Sequence, residues 1–230
     1  MTAESLLLRR SSRLDDYEEI LRLYPSLPRS IKLYFALRFL VCPFRRVESV
    51  VPSSGVIVDI GCGYGLFANL LAVRSGARYV IGCDPDVSRI GIAGSSVGRR
   101  SNVSFSVSKD GAALPCCDAV TLVDVLHHIA PGPRLKLLKE IFRQLRPGGD
   151  LVIKDIDKTP RAKYLWNYLH DFAMTRGAPC HFLANFQMCR LLEEVGFLVV
   201  AEPLKTRDPY PHILYRCTKP GRATESGNDS

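Results

Sequence analysis

With 230 residues, 47% of them in the AVILMFWYC set and 23% charged, the chain is long enough for one sizeable domain and too apolar for global disorder. Lysine and arginine outnumber aspartate and glutamate by 31 to 23, a mild excess that favours anionic partners without specifying one. The eight cysteines form no CxxC pair and no zinc-finger spacing with histidine, so they read as the reduced thiols of a cytoplasmic protein, with no metal site expected.

The opening segment, MTAESLLLRRSSRLDDYEE, is too charged, and its apolar stretch too short, for a secretory signal. SIKLYFALRFLVCPF follows as an apolar helix that Lys32 and Arg38 interrupt, short of a membrane span. Around it Arg29, Lys32, Arg38, Arg45 and Arg46 interleave with Ile31, Leu33, Tyr34, Phe35, Leu37, Phe39 and Leu40, and no acid appears until Glu48. Such a helix suits a membrane surface, which makes residues 29–46 the candidate for a peripheral contact. The commoner arrangement is a lid that packs on the domain and turns its basic face to water, and that is the one expected here. Because the pattern breaks before Val56, residues 1–52 read as a helical accessory segment and 53–218 as the main domain.

From residue 56 strands and helices alternate. VIVDI is a buried strand and LFANLLAVRS a helix with Leu66, Leu70, Leu71 and Val73 toward the sheet. YVIGCD, NVSFSV and AVTLVDVL are three more strands, with DVSRIGIAGSSVGRR a glycine-weakened helix between the first two. The helix PRLKLLKEIFRQL is expected to stop at RPGG, before a fifth strand, DLVIKDI. KYLWNYLHDFAMTRG and FQMCRLLEEVGF read as helices, then LVVAEPL and HILYRC as strands joined by too few residues for a crossover. The predicted fold is therefore α/β, a Rossmann-like, mostly parallel sheet whose last strand is antiparallel, with residues 219–230 a polar, disordered tail.

The first strand runs into VDIGCGYG. Asp59, Gly61, Gly63 and Gly65 spell D-x-G-x-G-x-G, with bare backbone where a ligand can approach. A dinucleotide fingerprint wants a small residue where Leu66 stands, and no G-K-[ST] of a phosphate-binding loop follows. An acid just before the glycines also disfavours phosphate. Asp84, nineteen residues after Gly65 at the end of the second strand, is placed to accept both hydroxyls of a ribose. Asp110, in SKDGAALP past the third strand, can accept from an adenine amino group.

With GCDPD, KDGAALP, DAVTLVDVLHHI, LRPGGDLVI and LLEEVGF, the chain from about Val56 to Cys217 resembles the class I S-adenosylmethionine-dependent methyltransferases, in particular the branch that includes quinone-ring and other small-molecule enzymes. The resemblance implies a seven-stranded sheet and S-adenosylmethionine as methyl donor. It implies that Gly61, Cys62, Gly63 and Gly65 line the methionine and ribose, and that Asp59 orients the amino group. Asp84 and Pro85 would meet the ribose, and Asp110 and Gly111 the adenine, while Asp124 would line the pocket. The segment between strands three and four carries CC where that branch has an aromatic residue, a departure at the adenine end.

Methyl transfer is an in-line displacement that needs alignment first, and a base only when the acceptor starts protonated. The polar residues expected beyond the strand ends are Asp124, His127 and His128, then Asp155 and Asp157, then Arg207, Asp208, Tyr210 and His212 of the terminal hairpin. Asp124, His127, His128 and His212 are the catalytic candidates; if 127–128 begins a helical turn, the two histidines cannot both face inward. Aspartates 155 and 157 more often cap a loop, and Trp166, Tyr168 and His170 are more often core than substrate cage. The expected function is methylation of a small, apolar or aromatic acceptor at O or C. The alternatives are a nucleic-acid methyltransferase, disfavoured by the lack of an N-P-P-Y signature or RNA-binding appendage, and a non-catalytic donor-binding protein.

Overall fold

The computed structural model describes residues 14–108, 114–157, 180–204 and 211–221. The helix expected from KYLWNYLHDFAMTRG, with Trp166, Tyr168 and His170, and the hairpin turn with Arg207, Asp208 and Tyr210 lie outside those residues. The apolar runs become strands β1 Gly55–Ile60, β2 Arg78–Asp84, β3 Val103–Val107, β4 Cys117–Val123, β5 Leu145–Ile156, β6 Leu198–Pro203 and β7 His212–Thr218. The helices are α1 (residues 14–21), α2 Arg29–Val41, α3 Phe44–Glu48, α4 Leu66–Arg74, α5 Val87–Ser95, α6 Pro131–Gln144 and α7 Asn185–Val195, with a 3-10 turn at Leu126–His128. None of the helices described is long and apolar enough to cross a membrane.

The strands form one sheet in the order β3-β2-β1-β4-β5-β7-β6. Pairing is parallel from β3 through β5, and β7 runs antiparallel to both β5 and β6. This is the expected seven-stranded, Rossmann-like sheet with its last strand reversed. Chain order reverses between β1 and β4, and such a switch point opens a crevice beyond the carboxyl ends of the strands. Side chains cover both faces, which is why β1 and β4 are buried along nearly their whole length rather than alternating. One layer packs Leu70, Leu71, Val80 and Val152 against Phe35, Phe39 and Phe44 of the N-terminal helices. The other packs Leu122, Leu151 and Tyr215 against Leu138, Ile141 and Leu192 of α6 and α7.

Two local readings need correction. The helix α4 is buried from Leu66 through Ala72, not on one face, and Val73 is only half-buried. The reason is the N-terminal segment: Phe44 stacks on Phe67 at 5.5 Å, and Asp16 of α1, 2% exposed, pairs with both Arg45 and Arg74. RPGG, expected as a stop before the fifth strand, lies inside β5. Pro147 ends the helical run, yet Leu145 already pairs with Cys117, and the register shifts before Asp150 meets Ala119. The extra residues loop out as an irregularity of the kind that bends an edge of the ladder.

Candidate active site

Between β1 and α4 the chain turns through Gly61, Cys62, Gly63, Tyr64 and Gly65. The three glycines have φ of 71°, 55° and 82°, in the left-handed region where a side chain is strained. The N–H groups of Gly61 and Cys62 donate to the Cys83 carbonyl at 2.7 and 3.1 Å, and the Gly63 N–H donates to Asp84 Oδ2 at 2.9 Å. The turn is thus pinned to the end of β2 by its own amides. A Cβ on Gly61 would strike Val125 at 2.5 Å and one on Gly65 would strike Phe105 at 2.7 Å, whereas nothing lies within 4 Å of the position beyond Gly63. Packing dictates the outer two glycines. The middle one opens onto space.

Asp84 is 6% exposed, and its Oδ1 accepts from the Asp86 N–H at 2.9 Å. A carboxylate offers about four acceptor positions, so each oxygen keeps one after these backbone bonds. Asp86 caps α5 by accepting from Ser88 and Arg89 N–H groups, and Pro85 is exposed beside it. Cys62 is half-buried, its thiol pushed far up by burial and then by Asp59 and other neighbours, so it is a packing group and not a nucleophile. Asp59 points into the sheet. Its Oδ1 accepts from Thr121 Oγ1 of the paired strand at 2.6 Å, while Oδ2 is buried without a hydrogen bond of normal geometry. Burial pushes this acid up to about 7, with Thr121 and the Ala68 N–H opposing the shift.

The N-terminal segment closes over the turn. Tyr24 donates its hydroxyl hydrogen to the Tyr64 carbonyl at 2.6 Å, and Asn69 Nδ2 donates to the Tyr24 oxygen at 3.0 Å. Tyr34 meets the Tyr64 ring edge-on at 5.5 Å. A second attachment lies across the crevice: Arg38 Nη1 donates to Asp124 Oδ2 at 2.8 Å, and Lys154 Nζ donates to Oδ1 at 2.5 Å. Asp124 sits at φ 58°, a conformation that aspartate tolerates better than most residues. Burial alone would raise its pKa; Lys154 and then Arg38 more than reverse that and hold it well below the usual carboxylate range. Asp124 therefore takes no proton near neutrality. Arg38, expected on a water-facing basic side, is turned inward by this pair.

The histidines separate as the 3-10 turn requires. His127 is 3% exposed and its Nδ1 meets Asp155 Oδ1 at 2.5 Å, with the ring stacked on Phe182 at 4.6 Å. Asp155, read from sequence as a loop cap, accepts the neighbouring Ile156 N–H but chiefly serves His127. His128 is exposed at the surface with its ring 3.8 Å from the Cys180 sulfur, and partial desolvation followed by the adjacent His127 brings it down to about 4. His212 is buried at the start of β7, paired with Ile156 at the end of β5. Asp157 accepts from the Asn185 N–H at 3.2 Å, at the start of α7 and not in the loop after β5. Asp110 and Gly111 lie outside the described residues. Sequence reasoning missed the pairing of His127 with Asp155, of Lys154 and Arg38 with Asp124, and of Tyr24 with the turn.

A family model described as a methyltransferase domain matches residues 34–202. Two curated relatives are similar over part of the chain. The mouse tRNA (carboxymethyluridine(34)-5-O)-methyltransferase ALKBH8 is 31% identical over 125 residues, 50% of this chain and 17% of that protein. The ubiquinone biosynthesis O-methyltransferase of Aeromonas salmonicida is 29% identical over 153 residues, 62% of this chain and 63% of its own length. The chain thus spans less than two thirds of either relative. Among solved structures, an S-adenosylmethionine-dependent methyltransferase from Methanosarcina mazei superposes with a TM-score of 0.62 at 21% identity, over 76% of this chain and 97% of that one.

Proposed function

The chain belongs to the class I S-adenosylmethionine-dependent methyltransferases, and from that premise we propose that it methylates an oxygen or ring carbon of a small, apolar or aromatic acceptor, with His127 as the base. The observation that carries the proposal is the buried pair of His127 Nδ1 and Asp155 Oδ1 at the carboxyl ends of β4 and β5. An acceptor that begins protonated, a phenol above all, needs such a group. The similarity to a ubiquinone-pathway O-methyltransferase supports the same acceptor class.

The donor supplies a methyl carbon bound to a sulfonium. The residues present fit it: Gly63 offers open backbone, and Asp84 keeps acceptor positions for a ribose beside it. The turn lacks any arginine or lysine side chain to hold a phosphate. On the acceptor side, Asp155 fixes the His127 ring with Nδ1 toward the carboxylate, and the uptake of the acceptor's proton is assigned to this ring. The carboxylate also stabilises the imidazolium that results. Asp124, paired with both Arg38 and Lys154, ties α2 to the rim.

The test is a labelled-methyl assay with S-adenosylmethionine and a panel of phenols, hydroquinones and fractionated apolar metabolites. Label in an extractable apolar product is the expected result. A second reading, methylation of a tRNA base, draws on the 31% identity with the tRNA methyltransferase. Label recovered in tRNA, with none in any small acceptor, would replace the first reading by the second.

A further inference from the structure

We propose that the outer face of α2 docks on an anionic lipid surface. The helix has two apolar sides. Phe35 and Phe39 enter the core, while Leu33, Leu37 and Leu40, spaced i, i+4, i+7, stand outside at 61%, 49% and 65% exposure. An outward helical face on a globular domain is ordinarily polar. Three of the ten large apolar side chains exposed among the described residues lie on these two turns, so the stripe is not scattered surface apolarity of the ordinary kind.

The charges that accompany the stripe select the partner. Arg29 and Lys32 are exposed in the first turn of α2, and the sequence from 29 to 47 holds no acid. The other cations nearby are engaged: Arg38 with Asp124, Arg45 with Asp16, and Arg46 with Glu202. The acids that flank this stretch in sequence are Asp15, Asp16, Glu18 and Glu19 of α1 and Glu48 of α3; Asp16 pairs with Arg45 and Arg74, Glu18 with Arg22 at 3.0 Å, and Glu48 with Arg78 at 2.8 Å. Leucines flanked by two unengaged cations match the boundary between acyl chains and anionic headgroups. A weak, reversible contact follows, since three leucines and two cations supply less than a single long acyl chain with a polybasic patch. Lipid contact would bring the helix that carries Arg38 to a surface in which an apolar acceptor dissolves. The inference does not depend on the identity of that acceptor.

Flotation of the full chain with vesicles of phosphatidylcholine alone, and of phosphatidylcholine with phosphatidylserine, tests this directly. The protein should float with the anionic vesicles and be released as salt is raised. Substituting all three leucines (Leu33→Ser, Leu37→Ser and Leu40→Ser) should cut partition about tenfold or more with every charge retained. The pair Arg29→Gln and Lys32→Gln should remove the salt-sensitive part. Equal flotation of the leucine variant would mean that net charge alone attracts the chain, and would overturn the proposal. Failure of the unaltered chain to float would overturn it too, as would a dimer in solution that the leucine variant turns into a monomer. Calorimetric binding of S-adenosylmethionine to each variant shows the fold intact and separates this result from the enzymatic reading.

Discussion

The two rims of the crevice are built in different ways. On the donor rim the contacts are mostly backbone groups: Gly61, Cys62 and Gly63 donate to the end of β2, with Asp84 as acceptor for Gly63 and the Tyr24 hydroxyl donating to the Tyr64 carbonyl. On the acceptor rim they are side-chain pairs, His127 with Asp155 and Asp124 with Lys154 and Arg38. A backbone cradle tolerates almost any side chains around it provided that the glycines remain, and it fixes one ligand. A rim of side-chain pairs can be altered pair by pair without disturbing the sheet, which suits the half of an enzyme that must differ between acceptors. The donor half should therefore fail in binding, and the acceptor half in chemistry or stability.

The strongest challenge to that division is His127→Ala. It should lower kcat by about 10² to 10⁴-fold while the affinity for S-adenosylmethionine, read by titration calorimetry, stays the same. Asp155→Asn should lose less and shift the pH–rate profile, because the ring remains but its orientation and imidazolium lose support. Equal loss of donor binding in either variant would erase the distinction between the rims. Next in size is Asp124→Asn. Lys154, 1% exposed, would then lack the carboxylate that balances it, a change that costs about 3 kcal/mol in urea unfolding. Adding Lys154→Met should recover part of the loss; if the single variant unfolds at the same urea concentration as the parent, the pair is not holding the rim.

On the donor rim, Asp84→Ala should weaken S-adenosylmethionine about 100-fold, two hydrogen bonds to a charged acceptor at about 1.5 kcal/mol each. The Gly63 and Asp86 amides lose their acceptor as well, so part of the effect is a looser turn. At saturating donor the acceptor turnover should be restored. If kcat collapses even then, Asp84 acts on more than binding.

The same contrast explains what could be read from the chain alone. The donor turn is local: seven consecutive residues, with the acid of the next strand in register because β1 and β2 pair side by side. Short parallel strands and their glycine turn leave a compact imprint, so the sheet and the reversed last strand were legible. The acceptor rim leaves none. Arg38 and Asp124 are 86 residues apart, Lys154 and Asp124 are 30, and His127 and Asp155 are 28. No period or spacing encodes such meetings; they follow from strand order, which sets β4 beside β5, and from the packing of α2, which brings Arg38 to Asp124. Arg38 looked like one cation in a solvent-facing row, and only the position of Asp124 at the end of β4 recruits it inward. Asp59 shows a contact of the same hidden kind. Its place before the glycines suggested a ligand contact; that Oδ1 also accepts from Thr121 of the neighbouring strand could not be read from the glycine pattern.

The smallest expected effect compares the rims through acid. Asp59, beneath the donor turn, is raised from 3.8 to about 7, so the folded state keeps a proton that the unfolded chain releases. Its contribution to stability is fully present below pH 3.8 and is lost as pH rises toward 7. His128, on the acceptor rim, is lowered from 6.5 to about 4, so the unfolded chain takes up a proton that the fold refuses. Its contribution is present above 6.5 and is lost as pH falls toward 4. Between pH 4 and 6.5 the two tilts oppose each other, and the parent should show a shallow dependence from this pair. Asp59→Asn leaves the histidine tilt alone, and its urea midpoint should climb relative to the parent as pH rises through that window. His128→Gln leaves the aspartate tilt, and its relative midpoint should descend over the same range. Parallel curves for Asp59→Asn and the parent would mean that the buried acid is already ionised in the fold, against the desolvation that its position in β1 imposes.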